Sequence, residues 1–310
     1  MDEINDVLIV GAGAIGSAVA YAIHRKLPGV AKVLADPGRM ERYAAQGFIL
    51  NGDRVHLPLV PLAGPSIAGG EPDLIILAVK NQQLARAMTD MAPCVGERTL
   101  IMSLLNGITS EDDLARAFGR DKVLYAMILG IDAVREGNAT SYSSSGTIHF
   151  GDESNPPRAF SERVSRIASF FDRTGVAYVV PEDMRRALWY KFMINVGINQ
   201  ASAVLRAPYG IFQGLPEARR VMESAMREVI ALSQALGTGL SEGDLVSWYA
   251  TLKALSPGAK TSMLQDIEAK RKTEVEAFAG TVVALGKKAG VPTPVNQLLF
   301  DLIRTIEQSY

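Results

Sequence analysis

The stretch Val7-Leu8-Ile9-Val10-Gly11-Ala12-Gly13-Ala14-Ile15-Gly16 decides how the rest of this 310-residue chain is read. Four apolar residues of strand length run into a G-x-G-x-x-G turn, and the turn opens a helical pattern from Ser17 to Lys26. Glycines at that spacing mean little alone; between a strand and a helix they are the setting in which it binds a dinucleotide. Gly11 allows the tight turn, Gly13 lets the backbone approach a pyrophosphate, and Gly16 lets the helix pack closely on the sheet. Ala14 and Ile15 stand at the helix N-terminus, where unpaired amides and the helix dipole favour an anion. The competing reading is an ordinary glycine-rich turn.

Working outward, Val7–Val10, Lys32–Ala35, Leu74–Val79, Thr99–Leu105 and Val123–Met127 read as strands separated by helical patterns. That rhythm is the mark of a parallel sheet built from βαβ units. From Asp132 to Gly151 the chain turns rich in Ser, Thr and Gly, and Thr147-Ile148-His149-Phe150 reads as an antiparallel sheet-edge strand. A helix is expected over Ser161–Thr174 and a last strand over Ala177–Val180, after which Pro181-Glu182-Asp183 opens a stretch with no strand pattern. Helices are expected near Met184–Val204, Pro216–Leu236, Gly243–Ala254, Ser262–Ala289 and Pro294–Glu307, with Ser256-Pro257-Gly258 as a turn. The fold class is therefore α/β: a parallel-sheet domain over residues 1–182, followed by an all-helical domain over 183–310. Compact domains usually hold roughly 100–200 residues, so two cores suit this length.

Composition narrows the function classes. Hydrophobic residues make up 48% and charged residues 21%, a globular balance, and the net charge of -1 comes with no basic block. Nucleic acid and anionic membrane surfaces are bound through clustered Lys and Arg, so neither is an expected partner. Cys94 is the single cysteine, which excludes an intrachain disulfide and a multi-cysteine metal site. His24, His56 and His149 are scattered without ligand spacing, so no metal is expected. The uncharged run from Val7 to Ile23 follows Asp2, Glu3 and Asp6 and is broken by three glycines, the opposite of an export signal. No later apolar run approaches the ~20 residues of a membrane span. A cytoplasmic protein is the expectation.

Three further positions fall just past expected strand ends, where ligands sit in open α/β sheets. Asp36 ends the second strand twenty positions after Gly16. Its carboxylate can accept both hydroxyls of an adenosine ribose, which favours NADH; equally, Asp36-Pro37 reads as a helix cap, and Arg39 and Arg42 can pair with the 2′-phosphate of NADPH. Lys80 follows Leu74–Val79 and Asn106-Gly107 follows Thr99–Leu105, so both are expected near the nicotinamide half of the cofactor. Their plain readings are a solvated loop lysine and an Asn-Gly turn.

The second half carries a polar stripe. In Leu188-Trp189-Tyr190-Lys191-Phe192-Met193-Ile194-Asn195-Val196-Gly197-Ile198-Asn199 the residues Lys191, Asn195 and Asn199 fall at i, i+4 and i+8, one face of a helix that is otherwise apolar. Two buried amides and an ammonium need partners, either a polar substrate or a protein network. Farther on, Ser262 three residues before Gln265 fits a capping box, and Glu274 is expected on the same helix amid Lys270, Arg271 and Lys272, where a surface ion pair is the plain reading.

Together these residues resemble the ketopantoate reductase (2-dehydropantoate 2-reductase) family. The likeness runs through the glycine turn, Ala78-Val79-Lys80, Asn106-Gly107, the Lys-x3-Asn-x3-Asn spacing, and Ser262-Met263-Leu264-Gln265-Asp266 followed by Thr273-Glu274. The resemblance implies a Rossmann domain with an all-helical C-terminal domain, an active site in the cleft between them, and NADPH-dependent reduction of a 2-oxo acid to a D-2-hydroxy acid in pantothenate biosynthesis. By position it implies Lys191 as general acid, with Lys80 at the cofactor-substrate boundary as second candidate. Asn106, Asn195, Asn199 and Ser262 become substrate-binding residues and Glu274 the residue that orients the substrate hydroxyl or a water bound to it. Two departures stand out. Asp36 replaces the family's common basic residue after the second strand, and Ala277-Phe278-Ala279-Gly280 follows Glu276 where many members have Asn-Gly.

These departures leave NAD(H) beside NADP(H) as cofactor, and an NADH-linked D-2-hydroxy acid dehydrogenase for a branched or aromatic substrate as the alternative enzyme. A catalytically silent dinucleotide-binding redox sensor is the alternative of another class, but such a module needs no lysine of this kind. The expected partner is a small-molecule 2-oxo acid. Oligomeric state stays open, a homodimer included.

Overall fold

The computed structural model describes residues 3–62 and 71–310; Asp2, one of the acidic residues before the first apolar run, lies outside them. The chain divides into two compact units, Met1–Met184 and Arg185–Tyr310.

The first unit contains β1 (Val7–Val10), α1 (Ala14–Lys26), β2 (Ala31–Ala35), α2 (Pro37–Gln46), β3 (Phe48–Leu50), β4 (Asp53–Val55), β5 (Leu59–Pro61) and β6 (Leu74–Leu77). It continues with α3 (Leu84–Met91), β7 (Leu100–Ser103), α4 (Ser110–Phe118), β8 (Val123–Ile131), β9 (Val134–Glu136), β10 (Ala139–Ser141), β11 (Ser145–Gly151), α5 (Glu162–Thr174) and β12 (Tyr178–Val179). The main sheet has the order β12-β11-β8-β7-β6-β1-β2-β5 and is parallel from β8 to β5. This is a Rossmann-type arrangement.

Continuous apolar strands make such a sheet because each face buries every second residue. Val7, Ile9, Leu74, Ile76 and Met102 join one core cluster with α1 and α5, while Leu8, Val10, Ile75, Leu77 and Ile101 join the other with α3 and α4. On α5 the buried residues Val164, Ile167, Phe170, Phe171 and Thr174 follow helical spacing, Ser161 caps the start and Gly175, left-handed at φ 68, ends it. Cys94 lies buried in the second cluster, where burial raises its thiol pKa.

The strand register fixes the place that matters for function. Val10 pairs with Leu34 and Leu77, and Leu77 with Ser103, so Gly11, Asp36, Lys80 and Asn106 all follow strand ends along one edge of the sheet.

Two features differ from expectation. The segment Thr147–Phe150 is not at the edge: β11 lies between antiparallel β8 and parallel β12, a two-residue strand too short to announce itself as sheet cover. A second sheet, β4-β3-β10-β9, has no counterpart among the expected strands beyond the antiparallel addition expected within Asp132–Gly151; its strands have three residues each, below the length at which alternation carries a signal.

The second unit takes over within α6 (Met184–Ile194) and is helical: α7 (Gln200–Leu205), α8 (Tyr209–Gly214), α9 (Pro216–Ala235), α10 (Glu242–Ala254), α11 (Ser262–Glu268), α12 (Thr281–Ala289) and α13 (Pro294–Gln308). Helix α9 is its axis, burying Ala218, Met222, Ala225, Met226, Val229 and Ile230 against its neighbours. The expected helix Met184–Val204 is continuous in direction, but a π-turn over Asn195–Asn199 separates α6 from α7. The expected helix Ser262–Ala289 is broken. Lys270 turns left-handed at φ 52 after α11, and a second π-turn over Glu276–Gly280 precedes α12. Thr273 is held in that break by Glu307 of α13, whose carboxylate accepts its backbone N–H at 2.7 Å and its hydroxyl at 2.6 Å.

Among the described residues no helix is long and apolar enough to cross a membrane.

Candidate active site

In the first unit the glycine turn has the steric form its sequence promises. Gly11 has φ 99, and a Cβ there would sit 2.6 Å from Val79 Cγ1 and 2.7 Å from Ala78 O. At Gly16 a Cβ would lie 2.0 Å from the carbonyl oxygen of Gly11, so only glycine lets α1 start so close to the turn. Gly13 is different. Its Cβ would meet nothing nearer than Ala78 O at 3.8 Å, so the space above it is left open by the protein itself. Together with the start of α1 at Ala14 and Ile15, this cradle fits a dinucleotide pyrophosphate.

A cavity of about 360 Å³ opens beside the turn, lined among others by Val10, Gly11, Leu34, Asp36, Val79 and Gln82. Asp36 is committed locally. It caps α2, Oδ1 accepting the Arg39 amide at 2.9 Å and Oδ2 pairing with the Arg39 guanidinium at 3.2 Å. Lys80 is exposed at the mouth of a 3-10 turn, Asn81–Gln83, and Asn81 Nδ2 donates to the carbonyl of Asn106 at 2.9 Å. The Asn106-Gly107 turn itself depends on Gly107 at φ 100. The structure thus brings the glycine turn, Asp36, Lys80 and Asn106 to one sheet edge.

Behind the Asn106 loop lies a group that sequence reading missed. Glu111, in the first turn of α4, is 2% exposed, and its carboxylate accepts a hydrogen bond from Ser110 Oγ at 3.0 Å. The Ser110 and Ser103 hydroxyls are 2.8 Å apart. Burial raises the Glu111 pKa to about 7, against its own backbone amide, Ser110 and the Ala126 amide, which lower it; the charge of Asp112 raises it further.

In the second unit Lys191 lies in the last turn of α6, half-buried, with Asn195 half-buried and Asn199 6% exposed on the π-turn that follows. A regular helix advances ~100° per residue, so each four-residue step overshoots one turn by ~40°. A turn closed by i→i+5 bonds holds more residues and reduces that drift. Two residues make the π-turn possible. Gly197 packs on α9 so closely that a Cβ would sit 2.4 Å from Met226 Cγ, and Gln200 Nε2 donates to the carbonyl of Val196 at 2.7 Å.

Gln200 is itself held by Asn296 Oδ1 at 3.1 Å, and Asn296 is held by the Glu228 carboxylate, which also accepts the Val295 and Asn296 amides at the start of α13. This buried network supports the stripe from behind. Nothing in the local sequence around Lys191 announces it, because its members lie far apart in the chain.

Ser262 and Glu274 are not on one helix. The cap of α11 is Thr261, whose hydroxyl oxygen accepts the Leu264 amide at 3.2 Å, so Ser262 is the exposed first helical residue rather than half of a capping box. Glu274 is 5% exposed, not a surface residue, and its carbonyl accepts the Ala277 and Phe278 amides as the second π-turn begins. Arg271 pairs instead with Asp266 at 2.9 Å. Both α11 and the second π-turn pack against the π-turn of the stripe. Among the described residues no cluster of His, Cys, Asp and Glu has the make-up of a metal site.

Two family profiles match the chain, described as Ketopantoate reductase PanE/ApbA over residues 7–155 and Ketopantoate reductase PanE/ApbA C terminal over residues 183–307. A curated relative, the 2-dehydropantoate 2-reductase of Aquifex aeolicus (strain VF5), is 27% identical over 306 residues, covering 97% of this chain and 96% of the relative. Of solved structures, a D-mandelate dehydrogenase in ternary complex with NADH and anilino(oxo)acetate is similar with a TM-score of 0.87 at 22% identity, covering 98% of each chain. A PanE/ApbA family ketopantoate reductase from Ralstonia eutropha JMP134 is similar with a TM-score of 0.83 at 24% identity, covering 98% of this chain and 99% of the other. At these identities the structural likeness speaks for the fold.

Proposed function

This chain belongs to the ketopantoate reductase family of oxidoreductases, and from that premise we propose that it reduces 2-dehydropantoate to pantoate with a reduced nicotinamide dinucleotide. The reading rests above all on one observation: the matched family covers both units, and in the second the π-turn that bears Asn195 and Asn199, directly after Lys191, packs against the π-turn that begins just past Glu274. When bound, the dinucleotide supplies the hydride. The residues Gly11, Gly13, Ala14, Ile15 and Gly16 would hold its pyrophosphate, with Asp36, Lys80 and Asn106 along the same sheet edge.

The carbonyl carbon of the 2-oxo acid gains the hydride while the C=O π bond opens onto oxygen. An ammonium at that oxygen stabilises the growing negative charge and delivers the proton, giving the hydroxyl; Lys191 is assigned this role. Asn106, Asn195, Asn199 and Ser262 are assigned the substrate's carboxylate and distal hydroxyl, for which amides and a hydroxyl are matched donors. Glu274, an acceptor when ionised, is assigned the orientation of the substrate hydroxyl.

A second reading has two observations in its favour: Asp36 at the end of β2, and Ala277-Phe278-Ala279-Gly280 where many relatives have Asn-Gly. It makes the chain an NADH-linked D-2-hydroxy acid dehydrogenase for an aromatic or branched substrate, a chemistry represented among its structural relatives by D-mandelate dehydrogenase. Initial rates with 2-dehydropantoate and with an aromatic 2-oxo acid, each with NADPH and NADH, decide between them. Turnover of 2-dehydropantoate supports the first reading; turnover of the aromatic acid alone replaces it with the second.

A further inference from the structure

Arg135, on β9 of the small sheet, is far in sequence from the dinucleotide turn but reaches its helix. Its Nη1 donates to Ser17 Oγ at 2.6 Å, its Nε to the carbonyl of Gly137 at 3.0 Å and its Nη2 to the Tyr43 hydroxyl at 3.4 Å. Ser17 Oγ in turn donates to the carbonyl of Ala12, inside the glycine turn, at 3.1 Å. The guanidinium carbon lies 5.8 Å from the ring centres of both Tyr43 and Phe48, so the charge is held against aromatic surface.

Its surroundings are of the wrong sign for a structural ion pair. Burial lowers the pKa of this guanidinium first; Tyr43 opposes that, and the positive charges of Arg42 and Arg39 lower it further. Among the described residues no carboxylate is paired with it. Arg39 is already matched to Asp36, while Arg42 sits over the Tyr43 ring at 5.2 Å. Arg42 and Arg135 thus both lie against the Tyr43 ring, and Arg39 stands one turn before Tyr43 on α2. A half-buried cation in such company is costly unless an anion visits, and a guanidinium has five N–H donors, of which three are engaged here.

We propose that Arg135, with Arg39 and Arg42, forms an anion subsite that takes a phosphate of the bound dinucleotide. The proposal rests on the glycine turn being a dinucleotide site and goes beyond it, because β9 lies outside the βαβ frame that defines that site. Two phosphates share this chemistry, the pyrophosphate common to both cofactors and the 2′-phosphate of NADPH alone.

The test is titration of the parent chain and of Arg135→Gln with NADPH and with NADH, followed by nicotinamide fluorescence, alongside a thermal melt of each protein. Loss of one charge-assisted contact predicts binding weaker by roughly 10- to 100-fold. Loss with NADPH alone assigns the subsite to the 2′-phosphate, and equal loss with both cofactors assigns it to the pyrophosphate. Unchanged binding of both by a folded variant overturns the proposal and leaves the dinucleotide reading intact, whereas a parent chain that binds neither overturns both. If the glutamine variant fails to fold, Arg42→Gln on the exposed face of α2 takes its place, with a several-fold loss expected and unchanged affinity again overturning the three-arginine subsite.

Discussion

The glycine turn of the first unit and the polar stripe of the second both depart from regular structure, by different means. At Gly11 and Gly16 the chain bends because a side chain is missing, and the omission is written in the sequence. At Asn195–Asn199 the chain stays helical and only its hydrogen bonding shifts, and the residues that permit the shift, Gly197 and Gln200, read locally as one more apolar-helix glycine and one more amide. A site built on backbone shape is legible from residue types. One built on a change of helical period depends on partners such as Met226 on α9 and Asn296 on α13.

The sharpest way to separate the two regions is Lys191→Ala. Removing a general acid is expected to lower turnover by ~10²–10⁴, while dinucleotide affinity, assigned to the first unit, stays as it was. Stopped-flow rates and a cofactor titration on the same preparation read both quantities. Intact turnover removes Lys191 from its role, and lost cofactor affinity shows that the division of labour is wrong.

Two glycines, one from each region, give the next contrast. Gly13→Ala adds a Cβ that meets no protein atom closer than 3.8 Å, so the melting temperature should hold while dinucleotide binding weakens by about tenfold or more, the new methyl occupying the space assigned to pyrophosphate. Gly197→Ala adds one 2.4 Å from Met226 Cγ and 3.0 Å from the carbonyl of Met222, an overpacking that typically costs about 1–3 kcal/mol. Because the strain falls between Asn195 and Asn199, KM for the 2-oxo acid should rise with cofactor affinity unchanged. A Gly197→Ala protein with parental stability and KM would show that the π-turn is not what aims the stripe.

How much was legible follows the same division. The central strands could be read because β1, β6 and β7 bury every residue and are apolar but for Ser103 at the end of β7, and the register that joins them with β2 carries Asp36, Lys80 and Asn106 to one edge without further information. The capping box at Ser262 failed because Thr261, one residue earlier, offers the same chemistry, and its hydroxyl also donates to Ser202 Oγ at 3.1 Å. Glu274 looked like a surface residue because three basic residues precede it; the helix break between them and α12, held by Glu307 from the far end of the chain, is what buries it.

Glu111 gives the first unit a dependence on neutral pH. Its pKa is raised in the folded protein, from 4.5 to about 7, so the protonated form is favoured on folding. Its contribution is complete below about pH 4.5 and is lost as pH rises through about 7, amounting to as much as a few kcal/mol. Thermal midpoints measured between pH 5 and 8 should fall for the parent chain and fall less for Glu111→Gln, which mimics the protonated carboxyl. Parallel curves would mean that the carboxylate is accommodated in its ionised form.

The smallest effect bears on the residue that left the cofactor open. Asp36 does two things that different substitutions can pull apart: it caps α2 through the Arg39 amide, and it places a negative charge at the end of β2. Asp36→Ser keeps a capping oxygen and removes the charge, so stability should change by no more than a few tenths of a kcal/mol, whereas Asp36→Ala loses the cap at about 1 kcal/mol. If the carboxylate holds the adenosine ribose, both variants lose NADH affinity alike, because neither retains an acceptor charge for the two hydroxyls. If it is a cap and a counter-ion to Arg39, both variants release that guanidinium and bind NADPH more tightly, with NADH unaffected. The serine variant's NADH and NADPH affinities, measured separately, therefore distinguish the roles without the confusion of a destabilised helix: weaker NADH binding marks the ribose contact, tighter NADPH binding marks the counter-ion, and no change in either would place cofactor choice outside the β2 end altogether.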